Sequence, residues 1–211
     1  MLTNKGLVEY VKIARVERWG YVWGTFGLLL TDLLFSHKLE QYPDGVGKYK
    51  EFISKTWLGR KTTDCVGLIK GYYWTIDGVI KYNLKTDVSA NRMYTIAKEK
   101  GTISTMPDMP GICVWKDGHI GVYIGDGQVI EAHGTKYGVI QTPLKGAGAT
   151  AWTHWLKCPY IVYEESEMTL VEALAFISKS GIDIDYWMEQ CNTVKFLDQC
   201  FIKIAKVFKE V

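Results

Sequence analysis

Between residues 110 and 163, β-branched and aromatic side chains alternate with small or polar ones, and Asp-Gly pairs recur at Asp117-Gly118 and Gly125-Asp126-Gly127. Alternation of this period gives a strand one buried face, and Asp-Gly supplies the positive φ angles of a tight hairpin. The stretch therefore predicts an antiparallel meander, with strands near 111–116, 119–124, 128–133, 137–142 and 159–163. Everything before it has to be arranged around that sheet. Leu7, Val8, Val11, Ala14 and Val16 fall at near-helical spacing and predict a helix over 4–18 that ends at Trp19-Gly20. Tyr21-Val22-Trp23-Gly24-Thr25-Phe26-Gly27 reads either as a packed turn or as a wall of a cleft. Helical pieces flank the loop Gln41-Tyr42-Pro43-Asp44-Gly45-Val46-Gly47. Two more helices follow, one from Cys65 to about Trp74, the other over 89–100 with Ser89 as its cap and Gly101 as its stop. The class is α+β.

Glu164-Glu165-Ser166-Glu167 marks a polar boundary. The expected organisation is a main domain over 1–163, a linker over 164–168 and a helical module over 169–211. In the module Leu170, Ala173, Leu174 and Ile177 make one apolar face ended by Gly181, and Val194, Leu197, Phe201, Ile204 and Phe208 make another. A piece of roughly forty residues is too small to bury two such faces by itself, so it should dock on the main domain or form a homodimer through the C-terminal helices.

Composition excludes several classes. A net charge of +2 with acidic and basic residues interleaved leaves no basic stripe for nucleic acid. The five cysteines, Cys65, Cys113, Cys158, Cys191 and Cys200, are odd in number and lack metal-ligand spacing, which suits free thiols and argues for no metal and no cofactor. The N-terminal residues carry charges where a signal peptide has an apolar core, and the apolar run Gly27-Leu28-Leu29-Leu30-Thr31-Asp32-Leu33-Leu34-Phe35 is broken by Asp32 and too short to span a bilayer. The expectation is a cytoplasmic chain without membrane insertion. If its substrate lies outside the cell, another factor must release it.

Thr63-Asp64-Cys65-Val66-Gly67 sets a cysteine in the first turn of an apolar helix behind a capping residue. Unpaired N–H groups and the positive end of the helix dipole favour a thiolate there, so the thiol is expected to be acidified. A thiol nucleophile needs a base and the base needs an orienting group. His119 opens a strand that Gly125-Asp126-Gly127 turns back on itself, and the returning strand carries Glu131 and His133. Counting back from the turn sets His133 opposite His119 and Glu131 on the diagonal, and the register can favour either. One oxyanion donor would be the backbone N–H of Cys65; the sequence does not name a second. His37 reads as a loop residue and His154 as packed beside Trp152 and Trp155, while the other four cysteines read as structural.

Tyr21-Val22-Trp23-Gly24, Asp64-Cys65-Val66-Gly67-Leu68, Gly118-His119-Ile120-Gly121-Val122-Tyr123-Ile124-Gly125 and Val129-Ile130-Glu131-Ala132 together resemble the NlpC-type cell-wall cysteine peptidases. That resemblance implies a papain-like fold whose nucleophile helix packs on the central antiparallel sheet. It also implies hydrolysis of an amide in peptidoglycan stem peptides or cross-bridges. Cys65 would be the nucleophile, His119 the base and Glu131 the third residue, with His133 as the alternative; Tyr21 and Asp64 would line the substrate cleft. Val66 stands where the family usually has serine, which removes the guide to recognition of a free N-terminal amine. The long stretch from Trp23 to Cys65, with Gly24-Thr25-Phe26-Gly27 and Gln41-Tyr42-Pro43, is similar to a branch in bacteriophages and mobile elements of Gram-positive bacteria, and the tail resembles a helical module of phage lysins. An acyltransferase on the same fold, or a non-catalytic wall-binding or phage-assembly protein, are the other readings.

Overall fold

A computed structural model of the 211-residue chain describes residues 1–164, 170, 173–175, 184–193 and 196–209. It divides into two units, Met1–Glu164 and Glu165–Val211. The first helix, α1 (Asn4–Val16), is capped by the Thr3 hydroxyl, which accepts from Gly6 N at 3.2 Å, and it buries Leu7, Val8, Val11 and Ala14. It stops before residue 18, because Arg18 takes a positive φ of 53° that no right-handed helix continues. Next come β1 (Gly20–Tyr21), β2 (Phe26–Leu29), α2 (Asp32–Gln41), α3 (Lys50–Thr56) and β3 (Lys61–Thr63). The sequence predicts a packed turn or cleft wall over 21–27 and helical pieces after it, with no sheet. In the structure β3 lies between β1, parallel to it, and β2, antiparallel to it, and this small sheet delivers the chain to the next helix.

That helix is α4 (Cys65–Trp74), followed by the hairpin β4 (Thr75–Ile76) and β5 (Val79–Ile80), then α5 (Ala90–Ile96) with the Ser89 hydroxyl as its cap. The helix expected to run to residue 100 ends at Ile96, and Gly101 sits in β6 (Lys100–Thr102) instead of stopping a helix. A Cβ at Gly101 would lie 2.8 Å from Trp155 Nε1, so glycine here lets the edge strand β6 approach its neighbour at Trp155. The meander consists of β7 (Cys113–Lys116), β8 (His119–Gly125), β9 (Gln128–Gly134) and β10 (Gly138–Pro143), with β11 (His154–Leu156) after it. The fifth strand therefore lies at Trp155 and not over 159–163, where Val162 makes a single bridge to Thr3. Strand order across the six-stranded antiparallel sheet is β10-β9-β8-β7-β11-β6.

Asp126 and Gly127 both adopt positive φ, 51° and 66°, as a two-residue hairpin turn requires. One extra residue then bulges between Tyr123 and Gly125, which restores the pairing Val122 to Ile130. One face of this sheet carries Ile120, Val122, Ile130 and Ala132, all essentially inaccessible, into a core shared with Leu68 and Ile69 of α4 and Leu7 and Val11 of α1. The other face packs Val114, Tyr123 and Val129 against Trp152.

In the second unit, α6 (Ile184–Thr193) and α7 (Leu197–Lys209) are separate helices. Ala173, Leu174, Phe201 and Ala205 form a buried cluster there with Leu170, Trp187 and Met188 around it. Ile177, Gly181, Val194 and the linker residues 165–168 lie outside the described residues. Among the described residues no helix is long and apolar enough to cross a membrane.

Candidate active site

Cys65 is the first residue of α4, and Asp64 caps that helix with both oxygens: Oδ1 accepts from Gly67 N at 2.6 Å and Oδ2 from Gly24 N at 2.8 Å. Gly67 is needed at this helix start, since a Cβ would lie 2.0 Å from the Thr25 carbonyl oxygen. Cys65 is 7% exposed, and its thiol donates to the Gly118 carbonyl oxygen at 4.0 Å. Burial pushes the thiol up to about 12, the Asp64 charge adds to this, and the backbone N–H groups of Val66, Ile120 and Cys65 pull it down by less. The helix start alone predicts an acidified thiol; desolvation outweighs it.

His119 opens β8, and its Nε2 lies 2.6 Å from Glu131 Oε2. The same oxygen is 3.0 Å from His133 Nδ1, and Oε1 accepts from the hydroxyls of Thr142 at 2.7 Å and Thr150 at 2.5 Å. Glu131, fully buried, thus receives four contacts on two oxygens. Burial by itself would raise its pKa; hydrogen bonds from His119, Thr150, Thr142 and His133 outweigh that and hold it at about 2. The carboxylate is ionised and the imidazole is fixed through Nε2, which leaves Nδ1 free to exchange a proton. The ring also stacks on Trp152, with centroids 5.3 Å apart and planes at 7°. Of the two residues on the returning strand, the diagonal Glu131 touches the His119 ring by hydrogen bond. His133 joins the group through Glu131.

His119, Glu131 and His133 are also the described group whose ligand atoms, all within 4.8 Å of one another, can hold a metal ion. Glu131 fits that use poorly, because protein donors already occupy all its lone-pair positions.

The Cys65 thiol reaches the backbone where β8 starts at His119. α4 covers the face of Ile120 and Val122, whereas the His119 ring belongs with Trp152 on the other, and the thiol contacts the backbone on both sides of His119, at Gly118 and Ile120. Among the described contacts the thiol and the imidazole share no hydrogen bond. Asn91 secures the turn between them, its Oδ1 accepting from Gly118 N and its Nδ2 donating to Asp117 Oδ1, each at 2.8 Å.

Beside Cys65 opens a cavity of about 550 Å³. Tyr21, Trp23, Asp64 and Val66 line it, with Lys38 and Tyr42 from α2 and the residue that follows it. Tyr21 is placed there by pairing of β1 with β3, and burial raises its hydroxyl pKa. Phe26 is both a cavity wall and a core residue, packed edge-on against Trp74 at 4.9 Å. His37, expected in a loop, lies in α2 and also borders the cavity. His154 packs against Tyr94 and Trp115, away from this site. Cys113 and Cys158 are buried, Cys191 is half-buried and Cys200 is exposed.

No family model and no curated protein matches the sequence. Several solved structures are similar. One is the peptidoglycan hydrolase RipB from Mycobacterium tuberculosis, at 20% identity, covering 76% of this chain and 67% of that one, with a TM-score of 0.39. Another is the P60 domain of an antigen from M. avium subspecies paratuberculosis, at 21% identity over 73% of this chain and 96% of that one, with a TM-score of 0.39. A third is a mutated form of the resuscitation promoting factor interacting protein RipA, at 21% identity over 74% of this chain and 63% of that one, with a TM-score of 0.40. The site is read from its own geometry. Thr142, Thr150, Trp152, Asn91 and Lys38 were not singled out by the sequence, because each reaches the site through a strand register, a loop path or the packing of a helix that no motif encodes.

Proposed function

We propose that this protein is a cysteine hydrolase that cleaves an amide bond in bacterial cell-wall stem peptides or cross-bridges. The observation that carries the reading is the 2.6 Å contact between His119 Nε2 and the saturated, ionised Glu131, on a strand whose first turn touches the capped Cys65 thiol. The four-part motif resemblance in the sequence supplies the substrate class. In the proposed mechanism α4 is the nucleophile helix of a papain-like fold. His119 Nδ1 takes the Cys65 proton as Sγ attacks the carbonyl carbon, and Glu131 stabilises the imidazolium. The backbone N–H of Cys65 faces the developing oxyanion. His119 then protonates the leaving amine, and water, deprotonated by the same imidazole, hydrolyses the thioester. A thiol held at about 12 is neutral at rest, so the proposal requires Sγ to turn from Gly118 toward Nδ1 when substrate binds.

Cys65→Ala should abolish the loss of turbidity of purified cell walls while leaving the circular dichroism spectrum unchanged. Undiminished lysis by that variant ends the reading. The high thiol pKa and the absence of a thiol–imidazole hydrogen bond favour one second reading, a non-catalytic wall-binding protein on the same fold. Alkylation of Cys65 by iodoacetamide at neutral pH separates them: in a hydrolase His119→Ala slows it, and in the inert protein wild type and variant react alike. The reading extends to the bacteriophage or mobile-element branch suggested by residues 24–27 and 41–43, with release to the wall by another factor. It also includes pairing of two copies through the C-terminal helices, which sedimentation of the full chain tests; a monomer removes that part alone.

A further inference from the structure

The cavity beside Cys65 contains two lysines that folding has largely removed from water, Lys38 and Lys70, each 8% exposed. Lys70 has a counter-ion. Its Nζ lies 2.6 Å from Asp87 Oδ1, and the other Asp87 oxygen accepts from the Tyr82 hydroxyl at 2.9 Å. Lys38 has none: among the described residues no carboxylate lies within 4.0 Å of its Nζ. That ammonium donates to the neutral Gln41 Oε1 at 2.8 Å and sits 5.5 Å from the centre of the Tyr42 ring. Burial holds the Lys38 pKa below the ordinary lysine range, with the more distant Asp64 and Asp87 opposing it. An ammonium taken out of water gains most from a carboxylate that comes to meet it.

Lys38 is also fastened to the reacting end of the cleft. The Tyr42 ring beneath it lies so close to Gly24 that a Cβ there would be 2.4 Å from the ring, and Gly24 N donates to Asp64, the residue before Cys65. Asp64 spends both oxygens on the backbone at Gly24 and Gly67, which turns its acceptors inward. Of the two lysines that line the cavity among the described residues, the one without a carboxylate partner is Lys38.

We infer that Lys38 binds a carboxylate of the substrate near the scissile amide, so that the preferred substrate is an acidic peptide. The inference rests on the hydrolase reading of the same cleft and names which wall peptides it takes. A synthetic stem pentapeptide with free carboxylates, and versions with each carboxylate in turn converted to carboxamide, test it. The wild-type protein should lose ten- to a hundredfold in kcat/KM for one of the amidated peptides, through KM. Lys38→Met should cleave that peptide and its acid form alike, and Lys38→Arg should keep part of the preference. Equal cleavage of acid and amide forms by the wild type, or an undiminished preference in Lys38→Met, overturns the inference and leaves the hydrolase reading standing.

If the wild type cleaves none of the peptides, the stem-peptide part of the hydrolase reading falls and cross-bridge cleavage is left to the wall-lysis test. Calorimetry on Cys65→Ala with the same peptides then decides the role of Lys38 by itself. Tighter binding of the acid form, lost when Lys38→Met is added, supports it; equal binding, or no binding of the acid form, overturns it. Thermal melts of each variant identify any that fails to fold.

Discussion

Glu131 receives two histidines on one oxygen and two threonines on the other, with no solvent contact. The buried charge is tolerated because every lone pair is used. Its pKa falls from 4.5 in the unfolded chain to about 2 in the folded one, so its stabilisation is fully present above pH 4.5 and is lost as pH falls toward 2. The difference amounts to roughly 3 kcal/mol at neutral pH. Glu131→Gln should remove that acid-side slope and leave one donor facing an amide N–H, lowering stability at pH 7 by about 2–4 kcal/mol. Urea unfolding between pH 2 and 7 checks both. Asp64, raised by burial, contributes the opposite sign, so the difference between wild type and Glu131→Gln isolates Glu131. Cys65, His119 and Glu131 stand out in the sequence because a capped helix start and a hairpin with a counted turn fix their neighbourhood. Thr142 and Thr150 could not be found that way: one lies on a neighbouring strand and the other in a loop, and hydroxyls carry no signal until the register is known.

At the level of elements, the start of α4 is held from two directions. Asp64 caps it at Gly67 and also gathers the Gly24 turn, against which Tyr42 at the end of α2 is packed. Asp64→Ala should therefore cost more than an isolated cap, about 2–3 kcal/mol instead of the usual ~1. Proteolysis should then become faster within residues 30–60, as α2 loses its hold; cleavage mapped by mass spectrometry checks this. The long strands of the meander were legible because alternation and Asp-Gly turns repeat there. The small sheet of β1, β2 and β3 was not, because strands of two to four residues are too short to display a period. The run over 159–163 has strong β-propensity, yet Tyr160 and Tyr163 pack on the core as irregular chain, and the sheet pairs with His154–Leu156 instead.

At the scale of the whole molecule, the first unit closes on itself through Asn4. Its Oδ1 accepts from Glu164 N at 2.9 Å, and its Nδ2 donates to the carbonyls of Pro110 at 2.9 Å and Glu164 at 3.2 Å. A chain ended after Glu164 keeps these bonds and should melt cooperatively near the temperature of the main unit in the full chain. A chain ended after Pro159 loses the two bonds to Glu164 together with the Thr3 to Val162 bridge, and should melt several degrees lower. Scanning calorimetry of the two truncations distinguishes them. The same clasp makes the unit almost a closed ring, since Thr3 and Val162 run side by side. A short linker can join those ends, and new ones can be opened at the Asp77-Gly78 tip, where Gly78 has open space around it, so the order of the segments along the chain can be rewired while the cleft stays intact.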